Sequence, residues 1–207
     1  MQASGPSPVL RADASARRRA DILDAALECF TERGFTATTM ADVRRASGAS
    51  IGSIYHHFRS KEELGAALYV EGLRDYQQGA LAALRGRRSA EAGVRSLVEH
   101  HLRWVAARPA LARYLLTSRE TEVRLATQGP LRELNRDFFA ALEGWFEPHR
   151  DAGRIRRLPF DLQHAVLLGP SQEFARLWLA GRAVTDLEAA ARTLGAAAWK
   201  ALKGEAA

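Results

Sequence analysis

The chain has 207 residues, of which 47% are hydrophobic and 26% charged, values that support a packed core and argue against wholesale disorder. Its 30 Lys and Arg outnumber 24 Asp and Glu for a formal charge of +6, which permits a polyanionic partner without requiring one. Cys29 is the single cysteine, which excludes an internal disulfide or a cysteine cluster for zinc and fits a reducing cytoplasm. Charged residues break every apolar stretch well short of the ~20 residues a membrane span needs, and the N-terminus lacks the apolar centre of a signal peptide. The expectation is a soluble, cytoplasmic protein with no membrane association.

Residues 1–15 carry two prolines, a glycine and several serines with few apolar anchors, and read as a mobile basic tail. Helical patterning then begins. Ile22, Leu23, Ala26, Leu27 and Phe30 recur at helical spacing, with Cys29 beside them as a small buried residue. Gly34 follows where a left-handed cap ends the helix. In "TTMADVRRASG", Thr39 is placed to cap a helix whose third residue is Asp42, and Gly48 closes it after about two turns. Ser50 caps a second short helix, "IGSIYHHF", in which Ile54 and Phe58 anchor one side and Ser53, Tyr55 and His56 face outward. Ser60 and Glu63 form a further capping box at the head of a long helix from Lys61.

The rest of the chain reads as helix, without strand alternation or internal repeat. Val94, Leu97, Val98, His101, Leu102 and Val105 share one face, and Pro109 opens a shorter segment. The next helix, from Pro130, is expected to bury Leu131, Leu134, Phe138, Leu142 and Trp145. Two helices complete the chain, with Asp161 and either Thr185 or Asp186 as N-caps, and Gly169-Pro170 predicts a kink in the first of them. The fold class is therefore all-α.

A short helix, a glycine-containing turn and a second short helix, braced by a helix before them, make a helix-turn-helix whose second helix enters the major groove of DNA. The residue types suit that use. A tyrosine hydroxyl, a histidine or a lysine can hold phosphate oxygens, and serine reaches backbone or base edges. Arg17, Arg18 and Arg19 either form an arm for a minor groove or solvate the start of the first helix. Metalloprotease HExxH, a glycine-rich phosphate loop and GxSxG are all missing, so no catalytic, metal or cofactor site is expected.

The segment "GFTATTMADVRRASGASIGSIYHHFRSKEEL" resembles the DNA-binding domain of the TetR (tetracycline-repressor-like) family. Gly34-Phe35, Thr38-Thr39, Gly48, Ser50, Gly52, Tyr55, His57-Phe58 and Lys61-Glu62 carry the likeness, which covers residues 18–65. It implies an N-terminal helix-turn-helix domain over 16–65 and a helical ligand-binding and dimerisation domain over 66–207. By position, Thr39, Tyr55, His57 and Lys61 would hold phosphates, with Ser50 capping and close by, while Ala41, Ile51, Gly52, Ser53 and His56 would lie nearest the bases. Ile51 and Ala41 depart from the polar or basic residues common in the family. Ile51 also stands one turn before Ile54, so the core is an alternative place for it.

For the larger domain the sequence offers candidates of lower information content. His101, Trp104, Phe138, Trp145, His164, Gln172, Phe174 and Trp178 are the candidate contacts for an apolar or aromatic effector, and core packing explains the aromatics equally. "LEAAARTLGAAAWKAL" lines small residues along one side of the last helix, which suits either a close monomer core or a homodimer through the last two helices. The resulting expectation is a homodimeric repressor that binds a pseudo-palindromic double-stranded operator and is released by a small molecule. A ligand-independent DNA-binding regulator is the alternative.

Overall fold

The computed structural model describes residues 8–117 and 121–205. Among them are nine helices and no strand: α1 (Pro8–Arg33), α2 (Met40–Ser47), α3 (Ile51–His57), α4 (Lys61–Leu84), α5 (Ala90–Ala107), α6 (Pro109–Thr117), α7 (Thr121–Asp151), α8 (Phe160–Leu179) and α9 (Leu187–Leu202). They fall into two compact units, one of Met1–Glu71 with Thr117–Gln128, the other of Gly72–Leu116 with Gly129–Ala207. The division falls within α4, between Glu71 and Gly72.

In the first unit α1 packs against α2 and α3. Ile22, Ala26, Phe30, Val43, Ile54 and Phe58 are buried together with Cys29, whose thiol is pushed up by burial. α1 begins at Pro8, so the expected tail is corrected: residues 8–15 are helical, and only 1–7 lie outside the described residues. Proline is pre-shaped for the first helical position, and "ADASARRRAD" consists mostly of good helix formers. Gly34 and Gly48 close α1 and α2 with left-handed φ values of 82° and 63°, which glycine adopts without steric conflict.

In the second unit α5 packs on α8 and α9, and α8 on α9. All six apolar-face residues expected of α5, His101 included, are buried. α7 differs from expectation. It starts at Thr121 and runs through Pro130, which is exposed. Leu131, Leu134, Phe138, Leu142 and Trp145 are half-buried, and Phe146 is fully buried, at 1% exposure. α8 likewise continues through Gly169-Pro170, and its N-cap is Pro159 with no side-chain bond, so Asp161 is a first-turn residue and not the cap. Asp186 caps α9, accepting from the Ala189 N–H at 2.8 Å.

Two contacts organise this unit. Arg150 donates to Gln163 Oε1 at 2.9 Å, to Glu147 Oε2 at 2.6 Å and to Glu143; burial works against its charge, and the hydrogen bonds to Glu143 and Glu147 more than offset that. Gly93 lets α5 meet Trp145, whose indole N–H is fixed on the Arg87 carbonyl at 3.2 Å. A Cβ on Gly93 would stand 2.0 Å from Trp145 Cζ2. Gly93→Ala is therefore expected to destabilise by about 1–2 kcal/mol, the clash exceeding alanine's helix preference. Denaturant unfolding checks this; a gain in stability would show that the indole moves aside freely.

A candidate nucleic-acid interface

Local capping builds the helix-turn-helix. Thr39 Oγ1 accepts from the Asp42 N–H at 3.2 Å, and Asp42 Oδ2 accepts from the Thr39 N–H at 2.9 Å, a reciprocal capping box. The Thr39 hydroxyl also donates to Asp42 Oδ2 at 2.6 Å, and together with the Thr39 N–H and the nearby Arg33 and Arg45 this holds the Asp42 carboxyl below the usual range. Thr38 Oγ1 donates to the carbonyls of Cys29 at 3.1 Å and Gly34 at 2.8 Å, pinning the turn between α1 and α2. Ser50 Oγ accepts from the Ser53 N–H at 3.1 Å. Ser60 accepts from Glu63 N at 3.1 Å, but the Glu63 carboxylate takes the Arg59 N–H at 2.8 Å, one residue before the expected partner.

With both ends of α3 fixed, its faces separate. Ile54 and Phe58 are buried at 0% and 1%. Ile51 and Tyr55, one turn apart, are exposed at 47% and 49%, and Gly52 and His56 are exposed beside them. Ile51 is thereby removed from the core reading. Ser53 is half-buried, while Ala41, Thr39 and Ser50 are exposed. His57 is half-buried and meets the His56 ring edge-on at 5.1 Å; desolvation, with His56 and Arg19 nearby, lowers its pKa and favours the neutral imidazole.

Lys61 is the main surprise. Its Nζ donates to the carbonyls of Phe35 at 2.9 Å and Thr36 at 3.2 Å and sits 4.7 Å from the Phe35 ring centre. Those contacts tie α4 to the turn after α1 and leave one ammonium donor for anything else. Arg19 lies over the Phe58 ring at 5.1 Å and pairs with Glu71, so it braces the unit. Arg44 and Arg59, on α2 and just beyond α3, are exposed cations that the motif reading missed. Their place on the surface next to a capped short helix is the signal that finds them.

The second unit does not gather its eight candidates into one lining. Trp104, Phe174 and Trp178 join Tyr76 in one apolar cluster, and Phe138 and Trp145 belong to another. His101 Nδ1 is 3.1 Å from the Tyr76 hydroxyl, with the two rings edge-on, and Trp104 donates its indole N–H to Asp75 at 2.7 Å. Desolvation, His100 and His164 lower the His101 pKa to about 4, while desolvation drives the Tyr76 phenol well above its usual range. His101 Nε2 and Gln77 Oε1 are buried polar atoms without a hydrogen-bond partner. Tyr76 and Gln77 were not legible beforehand, because they meet α5 and α7 across long stretches of sequence. His164 is exposed and stacks on Phe160 at 6.3 Å, and Gln172 is half-buried.

An open groove of about 690 Å³ between α5 and α9, lined by residues including Arg95, Glu99, Arg103 and Arg192, contains none of the eight. Its arginines are matched to Glu91, Glu99 and Glu188, so it presents no unbalanced charge. Among the described residues no cluster of three or more His, Cys, Asp or Glu could hold a metal, and no helix is long and apolar enough to cross a membrane.

Residues 22–68 match the family model described as bacterial regulatory proteins, tetR family. The chain is 36% identical over 110 residues to the HTH-type transcriptional repressor Rv1474c of Mycobacterium tuberculosis, covering 52% of this chain and 56% of that protein. It spans between about a quarter and little more than half the length of the curated relatives it matches, several of which are HTH-type transcriptional repressors. The crystal structure of a TetR family transcription regulator from Marinobacter aquaeolei has a TM-score of 0.79 at 22% identity, over 94% of this chain and 99% of that one. FadR from Bacillus subtilis, solved in complex with stearoyl-CoA, has a TM-score of 0.73 at 20% identity over 86% and 96%. At such identities these structures speak for the fold alone.

Proposed function

We propose that this chain, whose residues 22–68 match the model of the tetR family of bacterial regulatory proteins, is a homodimeric transcriptional repressor that binds a pseudo-palindromic operator and is released by a small molecule. The observation that carries the DNA-binding part is the outward face of α3. Ile51, Gly52, Tyr55 and His56 stand free of the core that Ile54 and Phe58 fill, on a helix held at both ends by caps. A helix so presented fits a major groove about 12 Å wide. Tyr55 and His57 contact phosphates in this reading, Arg44 and Arg59 add charge, and Thr39 and Lys61 contribute through the groups their internal bonds leave over.

Dimerisation through α8 and α9 is supported by Phe160, Leu162 and Leu177, exposed at 48%, 52% and 40% on α8. The small residues of α9 carry less of the argument than expected. Ala190, Gly195 and Ala198 are buried within the protomer, where Gly195 approaches Arg95 on α5. The exposed apolar side chains of α8 are what a second copy would cover.

Release by an effector is supported by His101 Nε2 and Gln77 Oε1, whose burial without partners is unfavourable until a polar group meets them. Tyr76, whose ring meets His101 edge-on, and the apolar cluster it packs against suit an apolar or aromatic body. Coupling then needs an effector that prefers the state with recognition helices wrongly spaced, carried along α4; about 1–3 kcal/mol of preference weakens DNA binding roughly 5- to 150-fold.

Selection of bound sequences from random duplex DNA at two salt concentrations tests the core of this reading. A palindromic site bound by two protomers, with affinity falling as salt rises, is the expected result. Recovery of no preferred sequence, with binding that merely follows ionic strength, would overturn it.

A further inference from the structure

We propose that Ile51 is the specificity-determining residue of α3 and reads the 5-methyl group of a thymine in each operator half-site. The inference rests on the DNA-binding reading above and adds the chemistry of the base contact. Ile51 occupies the first turn of α3, on the exposed side, at 47% exposure. It has no part in the core, which Ile54 and Phe58 complete.

The capping hydroxyls of α2 and α3 already accept hydrogen bonds within the protein. The Ser50 hydroxyl is engaged as the α3 cap, and the Thr39 hydroxyl both accepts from and donates to Asp42. Ala41 offers a methyl group, Gly52 offers no side chain, and Ser53 is half-buried. Ile51 is therefore the large exposed side chain at the leading end of this helix, and its surface is entirely hydrocarbon. In the major groove thymine is the base that presents a methyl group; the other bases present donors and acceptors, which an isoleucine would desolvate without replacing their hydrogen bonds. Such a contact both rewards thymine and penalises its competitors.

Gly52 makes the approach feasible. Its φ is not positive, it is exposed, and no heavy atom lies within 4 Å of where its Cβ would stand, so nothing inside the protein requires a glycine there. A missing side chain next to Ile51 lets the helix backbone come close to the pyrimidine edge, bringing the isoleucine methyls within contact distance. Tyr55, one turn further along the same side at 49% exposure, places an aromatic ring beside Ile51 and a hydroxyl beyond it for the sugar-phosphate backbone.

The test uses the full chain and the operator recovered by selection, with each thymine replaced in turn by deoxyuridine, a change that deletes the methyl group alone. One thymine per half-site is expected to lose roughly fourfold in affinity, the worth of one buried methyl, and the doubly substituted site about 15-fold. Ile51→Ala is expected to bind the natural operator more weakly and to be indifferent to deoxyuridine at that position; circular dichroism should show it as helical as the parent, since Ile51 is exposed. If no thymine is sensitive to loss of its methyl, or if the sensitivity persists undiminished in Ile51→Ala, the inference is overturned while the DNA-binding reading stands. Failure to recover any preferred sequence would overturn that reading, and this inference with it.

Discussion

Gly52→Ala is expected to leave the protein as stable as before or more so, yet to weaken its binding to operator DNA by about 10- to 100-fold. The two effects have opposite signs because they act on different surfaces. Within the protein, Gly52 is a helical residue without positive φ and without a neighbour within 4 Å of its Cβ direction, so alanine removes backbone entropy from the unfolded chain and strains nothing. Helix propensity puts that gain at up to about 1 kcal/mol, less in a first turn. Against a duplex, a methyl group on the exposed face of α3 holds the helix away from the base edges. A displaced contact at each of two half-sites, at about 1 kcal/mol or somewhat more apiece, accounts for the loss. Thermal unfolding and fluorescence anisotropy at one fixed salt concentration measure the two quantities separately. A lowered Tm would contradict the free space seen beside Gly52, and an unchanged Kd would show that α3 does not come close to DNA there. Gly93→Ala is the contrasting case: the same methyl group, placed against the Trp145 ring, is felt as a loss of stability.

Acidification is expected to destabilise the protein steeply between pH 6.5 and pH 4, and His101 is the main cause. Its ring is 5% exposed, its Nδ1 is bonded to Tyr76, and desolvation followed by His100 and His164 lowers its pKa from 6.5 to about 4. Because the folded-state pKa lies below the unfolded one, the unfolded chain binds the extra proton across that window. The stability is therefore fully present above about pH 6.5, declines as pH falls, and is lost by about pH 4. A shift of that size corresponds to roughly 3 kcal/mol, a substantial part of the 5–15 kcal/mol typical of folded domains. Lowered pKa values at His100 and His149, where burial again leads, act in the same direction. Urea midpoints taken from pH 7 to 4 measure the slope. His101→Phe keeps an aromatic ring against Tyr76 while removing the titration; its midpoint at pH 7 is expected to be lower, since Tyr76 loses its partner, and its pH dependence flatter. An equally steep dependence in this variant would assign the effect elsewhere. Asp42, held below 3.8 chiefly by its bonds to Thr39, contributes only at lower pH: its stabilisation is present above its unfolded pKa and is lost as pH falls through the folded one.

Features carried by a few neighbouring residues were legible in advance. Thr39, Ser50 and Ser60 cap their helices because a side-chain oxygen reaches an N–H three residues on, and Gly34 and Gly48 end theirs because each takes a left-handed φ. The buried stripe of α5 followed from its spacing. The candidate DNA-reading face was legible as a set of residues, though not as a geometry. Whether Ile51 turned to the core or to solvent depended on Ile54 and Phe58 already filling the space beneath α3.

What the sequence by itself determined is the all-helical class, the three-cap signature of the helix-turn-helix and the likeness of its motif to a known family, all of which rest on local chemistry within a turn or two. The tertiary structure decided the rest. Lys61 spends two donors on carbonyls 26 and 25 residues away, α9 uses its small residues against α5, α7 passes through Pro130, and His101 is left neutral beside Tyr76. Each outcome depends on which distant surfaces meet and which polar groups lose their water when they do, and neither is encoded in the spacing of neighbouring residues.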